Sequence, residues 1–190
     1  MTRLLLVLCI FLSACATAQR APSRFNVNDA FVVQLESNWI DITRLARRPH
    51  RSVHLLTVHA PELERLYLVG DLPPGRSMVE APSRRQAAVV YRADLSRREL
   101  VEFICANLTA LGFVRIETSD IRPALLGGAN GVRFDARMRA PDGLDYSAKA
   151  LAAQSEGGRL RLILFIAPDE FYFPQLAPEI DLMLTRAGSS

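Results

Sequence analysis

The chain has 190 residues, of which 49% are hydrophobic and 23% charged, with a formal net charge of +3 at pH 7. That balance supports a folded core and excludes a disordered chain. Lys149 is the only lysine among the 23 basic residues, and the arginine pairs Arg47-Arg48, Arg84-Arg85 and Arg97-Arg98 are scattered without interleaved aromatics. They read as solvated surface, which excludes a nucleic-acid binding footprint.

Arg3 is followed by nine apolar residues, Leu4 to Leu12. Spanning a hydrocarbon core takes roughly 20 residues in a helix, so this run is too short to cross and suits the central region of a signal peptide. Thr17 to Arg24 is polar and does not extend it. The run closes on Leu12-Ser13-Ala14-Cys15, which resembles the bacterial lipobox, Leu-(Ala/Ser)-(Gly/Ala)-Cys, at all four positions. The resemblance implies cleavage between Ala14 and Cys15 and lipidation of the Cys15 thiol. One acyl chain binds a membrane only reversibly, whereas two or three on one residue hold it there. Plain secretion with cleavage after Ala14 or Ala16 is the alternative. Ala16 stands where many enteric lipoproteins carry an inner-membrane retention Asp, so by that resemblance the outer membrane, periplasmic side, is the expected location. Residues 1–14 are then the signal peptide, 15–27 a lipidated tether made flexible around Pro22, and 28–190 a single domain. Cys9 lies in the signal and Cys15 is the anchor, which leaves Cys105 alone and no intramolecular disulfide in the domain.

The domain opens on Phe25 to Leu35, where Phe31, Val33 and Leu35 alternate as in a strand. Trp39 to Ile42 reads as a short partner strand, with Trp39 as a core anchor. Ser52 to His59 and Arg65 to Val69 are β-branched or apolar and predict two further strands. Gly70 to Arg85 holds three prolines and two glycines and predicts a long surface loop, with a short strand over Ala87 to Tyr91. Ser96 to Leu111 is a helix: Ser96 is an N-cap, Glu99 completes a capping box, and Leu100, Phe103, Ile104, Leu108 and Leu111 share one face. Gly112 is placed to end it. Phe113 to Thr118 alternates as a strand, and Ile121 to Asn130, with Pro123 and Gly127-Gly128, reads as a loop. Gly131 to Arg139, Leu144 to Gln154 and Arg159 to Ala167 predict an antiparallel meander, turning at Pro141-Asp142-Gly143 and at Glu156-Gly157-Gly158. A turn at Phe171-Tyr172-Phe173 precedes a helix over Pro178 to Arg186 with Pro178 at its first position. Two helices are too few for parallel crossovers, so the expected class is α+β with a single antiparallel sheet flanked by helices.

Several features together resemble the Mog1/PsbP-like α/β/α sandwich and small alphaproteobacterial lipoproteins. These are the Leu111-Gly112-Phe113 helix exit, the strand carrying Gly131, Arg133 and Phe134, the Asp142-Gly143 hairpin and the segment Ala167, Pro168, Phe171, Tyr172. The resemblance implies a non-enzymatic accessory or binding module and transfers no site residue.

Signals of catalysis and metal binding are weak. His54 and His59 are five apart on one predicted strand and face opposite sides, and the chain has no HExxH, CxxC or Gly-x-Ser-x-Gly motif. Gly127-Gly128 leads into a strand and not a helix, so it is a turn and not a phosphate cradle. Asp135 and Asp145 flank a hairpin, and pairing across strands with Arg133 or Arg137 is the favoured reading over a glycosidase pair. Cys105 reads as a half-buried structural thiol. The expectation is a non-catalytic, cofactor-free module held at a membrane and binding an envelope protein through the Gly70–Arg85 loop and Phe171, Tyr172 and Phe173. A binder of a small apolar ligand in a cleft between sheet and helix is the alternative, and a hydrolase comes third.

Overall fold

A computed structural model describes residues 18–46, 50–81, 83 and 85–188. The stretch that resembles a lipobox, with Ala14 and Cys15, lies outside the described residues. Among the described residues ten strands and two helices follow in chain order: β1 (Gln19–Arg20), β2 (Arg24–Val27), β3 (Phe31–Gln34), β4 (Ile40–Asp41), β5 (Val53–Thr57), β6 (Arg65–Leu72), α1 (Arg97–Ala110), β7 (Val114–Leu126), β8 (Ala129–Arg139), β9 (Asp145–Gln154), β10 (Leu160–Pro168) and α2 (Tyr172–Ala187). Eight strands form one antiparallel sheet in the order β1-β4-β5-β6-β10-β9-β8-β7, and β2 and β3 form a separate hairpin.

Period-two alternation splits the apolar residues of this sheet between two cores. Along β8, Val132, Phe134, Ala136 and Met138 join Leu100, Ile104 and Leu108 of α1 in the first core. Along β10, Leu160, Leu162, Leu164 and Ile166 face the same way, while Ile163, Phe165 and Ala167 join Ile180, Met183 and Leu184 of α2 in the second. The second core also takes Phe25, Val27, Phe31 and Val33 of the β2–β3 hairpin and Trp39. Trp39 is fully buried, as its uniqueness suggested.

Helix α1 forms where its capping signals put it. The Ser96 hydroxyl accepts from the Glu99 amide, the Glu99 carboxylate accepts from the Ser96 amide, and Gly112 leaves the helix at φ +99°. Gly131 answers to a different constraint. A Cβ there would run into the carbonyl oxygen of Ala152 on β9, so the tight β8–β9 pairing requires glycine.

Five segments differ from the sequence reading. Residues 19–27 are not tether: β1 pairs with β4, and Ala21, Phe25 and Val27 are buried, so the ordered domain begins before residue 28. Phe25 to Leu35 is a hairpin and not one strand, because Asn28 and Asp29 take positive φ and turn the chain, with Asn26 accepting from the Asp29 amide. Ile121 to Asn130 is not a loop. The strands β7 and β8 run through it to a two-residue turn at Gly127-Gly128, both with positive φ, as a type I′ hairpin needs. Pro123 is tolerated there because β7 is the edge strand of the sheet, pairing among the described residues only with β8. Ala87 to Tyr91 is not a strand, although Tyr91 exchanges backbone bonds with Gly75 and Arg76. Finally α2 begins at Tyr172, so Pro178 lies inside it; the helix forms because burial of its apolar stripe outweighs the missing amide.

Glu179 fastens α2 to the link between β3 and β4. Its carboxylate accepts from the Glu36 amide (2.8 Å), the Ser37 amide and hydroxyl, and the Trp39 indole (2.8 Å). Burial pushes this carboxyl up, but the bonds from Ser37, Trp39 and Glu36 outweigh it and hold it below the ordinary value. The Glu179→Ala variant leaves the buried indole N–H without its acceptor and is expected to lose about 1–3 kcal/mol in urea denaturation. A depressed carboxyl contributes stability that is complete above its unfolded-state value and is lost as pH falls through the lower folded value. The stability difference between the parent and Glu179→Gln is therefore expected to shrink in acid, measured by urea midpoints across that range.

Candidate functional site

α1 packs over β7 and β8, towards one edge of the sheet. The β5–β6 end of the same face is closed instead by the loop that follows β6, whose Met78, Val79 and Tyr91 are buried in the first core. The Tyr91 hydroxyl seats this loop by donating to Gln154 Oε1 (2.9 Å), and burial, with Asp94 nearby, pushes its phenol up to about 12. Helix end and loop do not meet completely, and between them lies a cleft of about 270 Å³. Its floor is Val53 and Leu55 of β5 with Tyr67 of β6, and its walls are Met78 and Val79 on one side and Ala110 on the other. Thr43 also lines it, but its hydroxyl already accepts from the Leu55 amide (2.9 Å). Burial pushes the Tyr67 phenol up, outweighing the opposing influence of Arg65. Glu80, exposed, is the one charged residue of the lining among the described residues. Such a lining suits an apolar ligand.

The cleft lies close to where the chain enters the domain. β1 runs antiparallel to β4 with Gln19 opposite Asp41, so the N-terminal end of β1 meets the C-terminal end of β4. That end of β4 leads directly into Thr43 and Ala46, both of which line the cleft.

On the opposite face, α2 covers a charged cluster. Lys149 bridges Asp135 (3.1 Å) and Asp181 (3.0 Å), Arg133 pairs with Asp181, and the Lys149 ammonium lies 6.0 Å from the Phe173 ring centroid. Asp145 pairs with Arg139. The expected partners Arg133 and Arg137 are thus corrected: Asp135 stands opposite Lys149 in the β8–β9 register, and Arg133 reaches α2. The three histidines make separate local contacts. His50 accepts from the Ser52 amide, His54 meets Asn28 Oδ1, and His59 approaches Glu64 at 3.4 Å. Among the described residues no group of three His, Cys, Asp or Glu is arranged to hold a metal ion. Cys105 is half-buried on α1, and burial, with Glu102 beside it, pushes its thiol up.

The expected interaction surface divides. Phe171 is 63% exposed at the head of α2, but Tyr172 turns its edge to His59 and Phe173 stacks on Phe165 at 5.8 Å, both packed against the second core. The Gly70–Arg85 loop packs its buried residues into the first core. The two parts therefore serve opposite faces of the sheet. The Met78-Val79 pair was the signal, unused in the sequence reading, that this loop carries a buried plug.

No family model matches the chain, and no curated protein matches it. Among solved structures it is similar to the cyanobacterial PsbP (CyanoP) of Synechocystis sp. PCC 6803, with a TM-score of 0.51 at 11% identity, over 90% of this chain and 92% of that one. At that identity the likeness shows the fold: the chain has a PsbP-like α+β fold built on a large antiparallel sheet.

Two outcomes follow from this geometry. Alkylation of Cys105 by iodoacetamide is expected to run slower in the folded protein than in urea at the same pH, since a raised thiol carries less thiolate. An apolar fluorescent probe is expected to bind saturably, and Ala110→Phe, which fills the cleft, to weaken that binding by about tenfold or more.

Proposed function

We propose that this chain is a lipid-anchored, non-catalytic module on the periplasmic side of the outer membrane that acts by binding, within an α/β/α sandwich of the kind seen in PsbP. The observation that carries this reading is the short distance between anchor and fold. Cys15 precedes the paired residue Gln19 by four positions, a reach of at most about 14 Å of extended chain. A domain attached this closely keeps its β1–β4 edge at the bilayer surface, where a long tether would let it roam. The lipobox motif supports the anchor, and the raised Cys105 thiol argues against a cysteine nucleophile in the domain. An envelope protein was the first candidate partner. The cleft between β5, β6 and the end of α1 favours the second, a small apolar ligand.

The test is fractionation of cells expressing the parent and Cys15→Ala, with metabolic labelling by an alkyne fatty acid. The parent is expected in the outer-membrane fraction and labelled, and Cys15→Ala unlabelled and released from it. Equal solubility of both forms would sink the anchored reading.

A further inference from the structure

We infer that the cleft takes one acyl chain of a bilayer phospholipid, which enters from the membrane on which the domain sits. The inference deepens the apolar-ligand reading and rests on anchoring at Cys15. Three observations converge on it. First comes position: the N-terminal end of β1 meets the end of β4 that leads into Thr43 and Ala46, so the anchored end of the domain and the cleft share one corner of the sheet. With at most about 14 Å of chain between Gln19 and the lipidated residue, the cleft stays within reach of the bilayer. The second is size and lining. At roughly 30 Å³ per water-sized group, 270 Å³ accommodates about nine methylenes, a single chain segment and not a whole lipid. The third is the rim. Leu45, between the lining residues Thr43 and Ala46, is 53% exposed beside the exposed Arg44. That pair suits a bilayer interface, with the apolar side chain at the acyl boundary and the guanidinium at the phosphates.

The charge of the lining selects among apolar ligands. Among the described residues Glu80 is the one charged residue of the lining, and a free fatty acid would bring a second carboxylate to the same cleft. An esterified chain brings none, with its phosphate left outside near Arg44. Tethering replaces a bimolecular encounter by a local one, so the acylated form samples lipid chains at a far higher effective concentration than a soluble form.

The experiment uses the full acylated protein in vesicles of phosphatidylethanolamine with a minority of phosphatidylglycerol. A fraction of the phosphatidylethanolamine carries a diazirine on one acyl chain. After irradiation, mass spectrometry of peptides is expected to find the label on the sheet floor at Leu55 and the loop wall at Met78. Two filling variants, Ala110→Phe inside the cleft and Ala81→Phe at its exposed rim, are expected to reduce that label by about tenfold while circular dichroism and membrane fractionation stay as in the parent. The second variant guards against a folding defect in the first. A diazirine fatty acid with a free carboxylate is expected to label the cleft less. Label confined to Leu45 and the outer surface, or unaffected by both fillings in a protein that still fractionates with the membrane, overturns the inference and leaves the anchored reading standing. Stronger cleft labelling in Cys15→Ala than in the acylated protein also overturns it, and assigns the cleft to the protein's own acyl chain. If the parent itself fractionates as soluble, both readings fail.

Discussion

Strand β10 is buried on both faces, and the architecture depends on that. It sits at the centre of the sheet between β6 and β9, with Leu160, Leu162 and Leu164 in one core and Ile163 and Phe165 in the other, all below 1% exposed. A strand with no solvent face must be apolar at nearly every position, and both sides must be covered. Coverage comes from different places on the two sides. On the first it is α1 and the loop after β6; on the second it is α2 and the β2–β3 hairpin. The partners of β10 come from far apart in the chain, because Leu160 stands opposite both Leu72 and Gln154.

The second face is held by polar contacts as well as by packing. Glu179 draws four backbone or side-chain donors from the β3–β4 link onto α2, and Arg186 reaches back to Glu36. Further along α2, Asp181 meets Arg133 and Lys149 of the sheet. Glu179, with several hydrogen bonds, is charge-stabilised and fixes the helix on its axis. On the first face Gln154 ties the loop to the sheet through the Tyr91 hydroxyl and Leu95, and it is on this face that helix and loop leave the cleft open. A layer closed by a loop instead of a second helix adapts its width with little cost to regular structure, which suits a ligand site on that face.

Much of the fold was legible along the chain because its signals are local. The capping box at Ser96 and Glu99, the helix exit at Gly112, the alternation over Gly131–Arg139 and the turn at Gly143 depend on neighbours within a few residues, and each appears where the pattern put it. The failures have physical causes too. Pro123 reads as a strand breaker, yet an edge strand has one unpaired side and accepts it. Pro178 reads as a helix start, yet the stripe of Leu176, Ile180, Met183 and Leu184 extends the helix through it. Gln19–Arg20 is too short and polar to signal a strand, and pairs because β4 offers an open edge.

The sequence by itself determined the α+β class, the long capped helix, the meander of its second half, the burial of Trp39 and the lipobox-like stretch that ends at Cys15. Those features rest on periodicity, capping and motif, which are written within short windows. Only the tertiary structure decided that residues 19–27 belong to the domain and that Lys149 rather than an arginine faces Asp135. It also separated the loop from the aromatic segment across the sheet and opened a cleft near the chain's entry. Each of these depends on strand order and register between segments dozens of residues apart, and no local pattern encodes which distant strand becomes a neighbour.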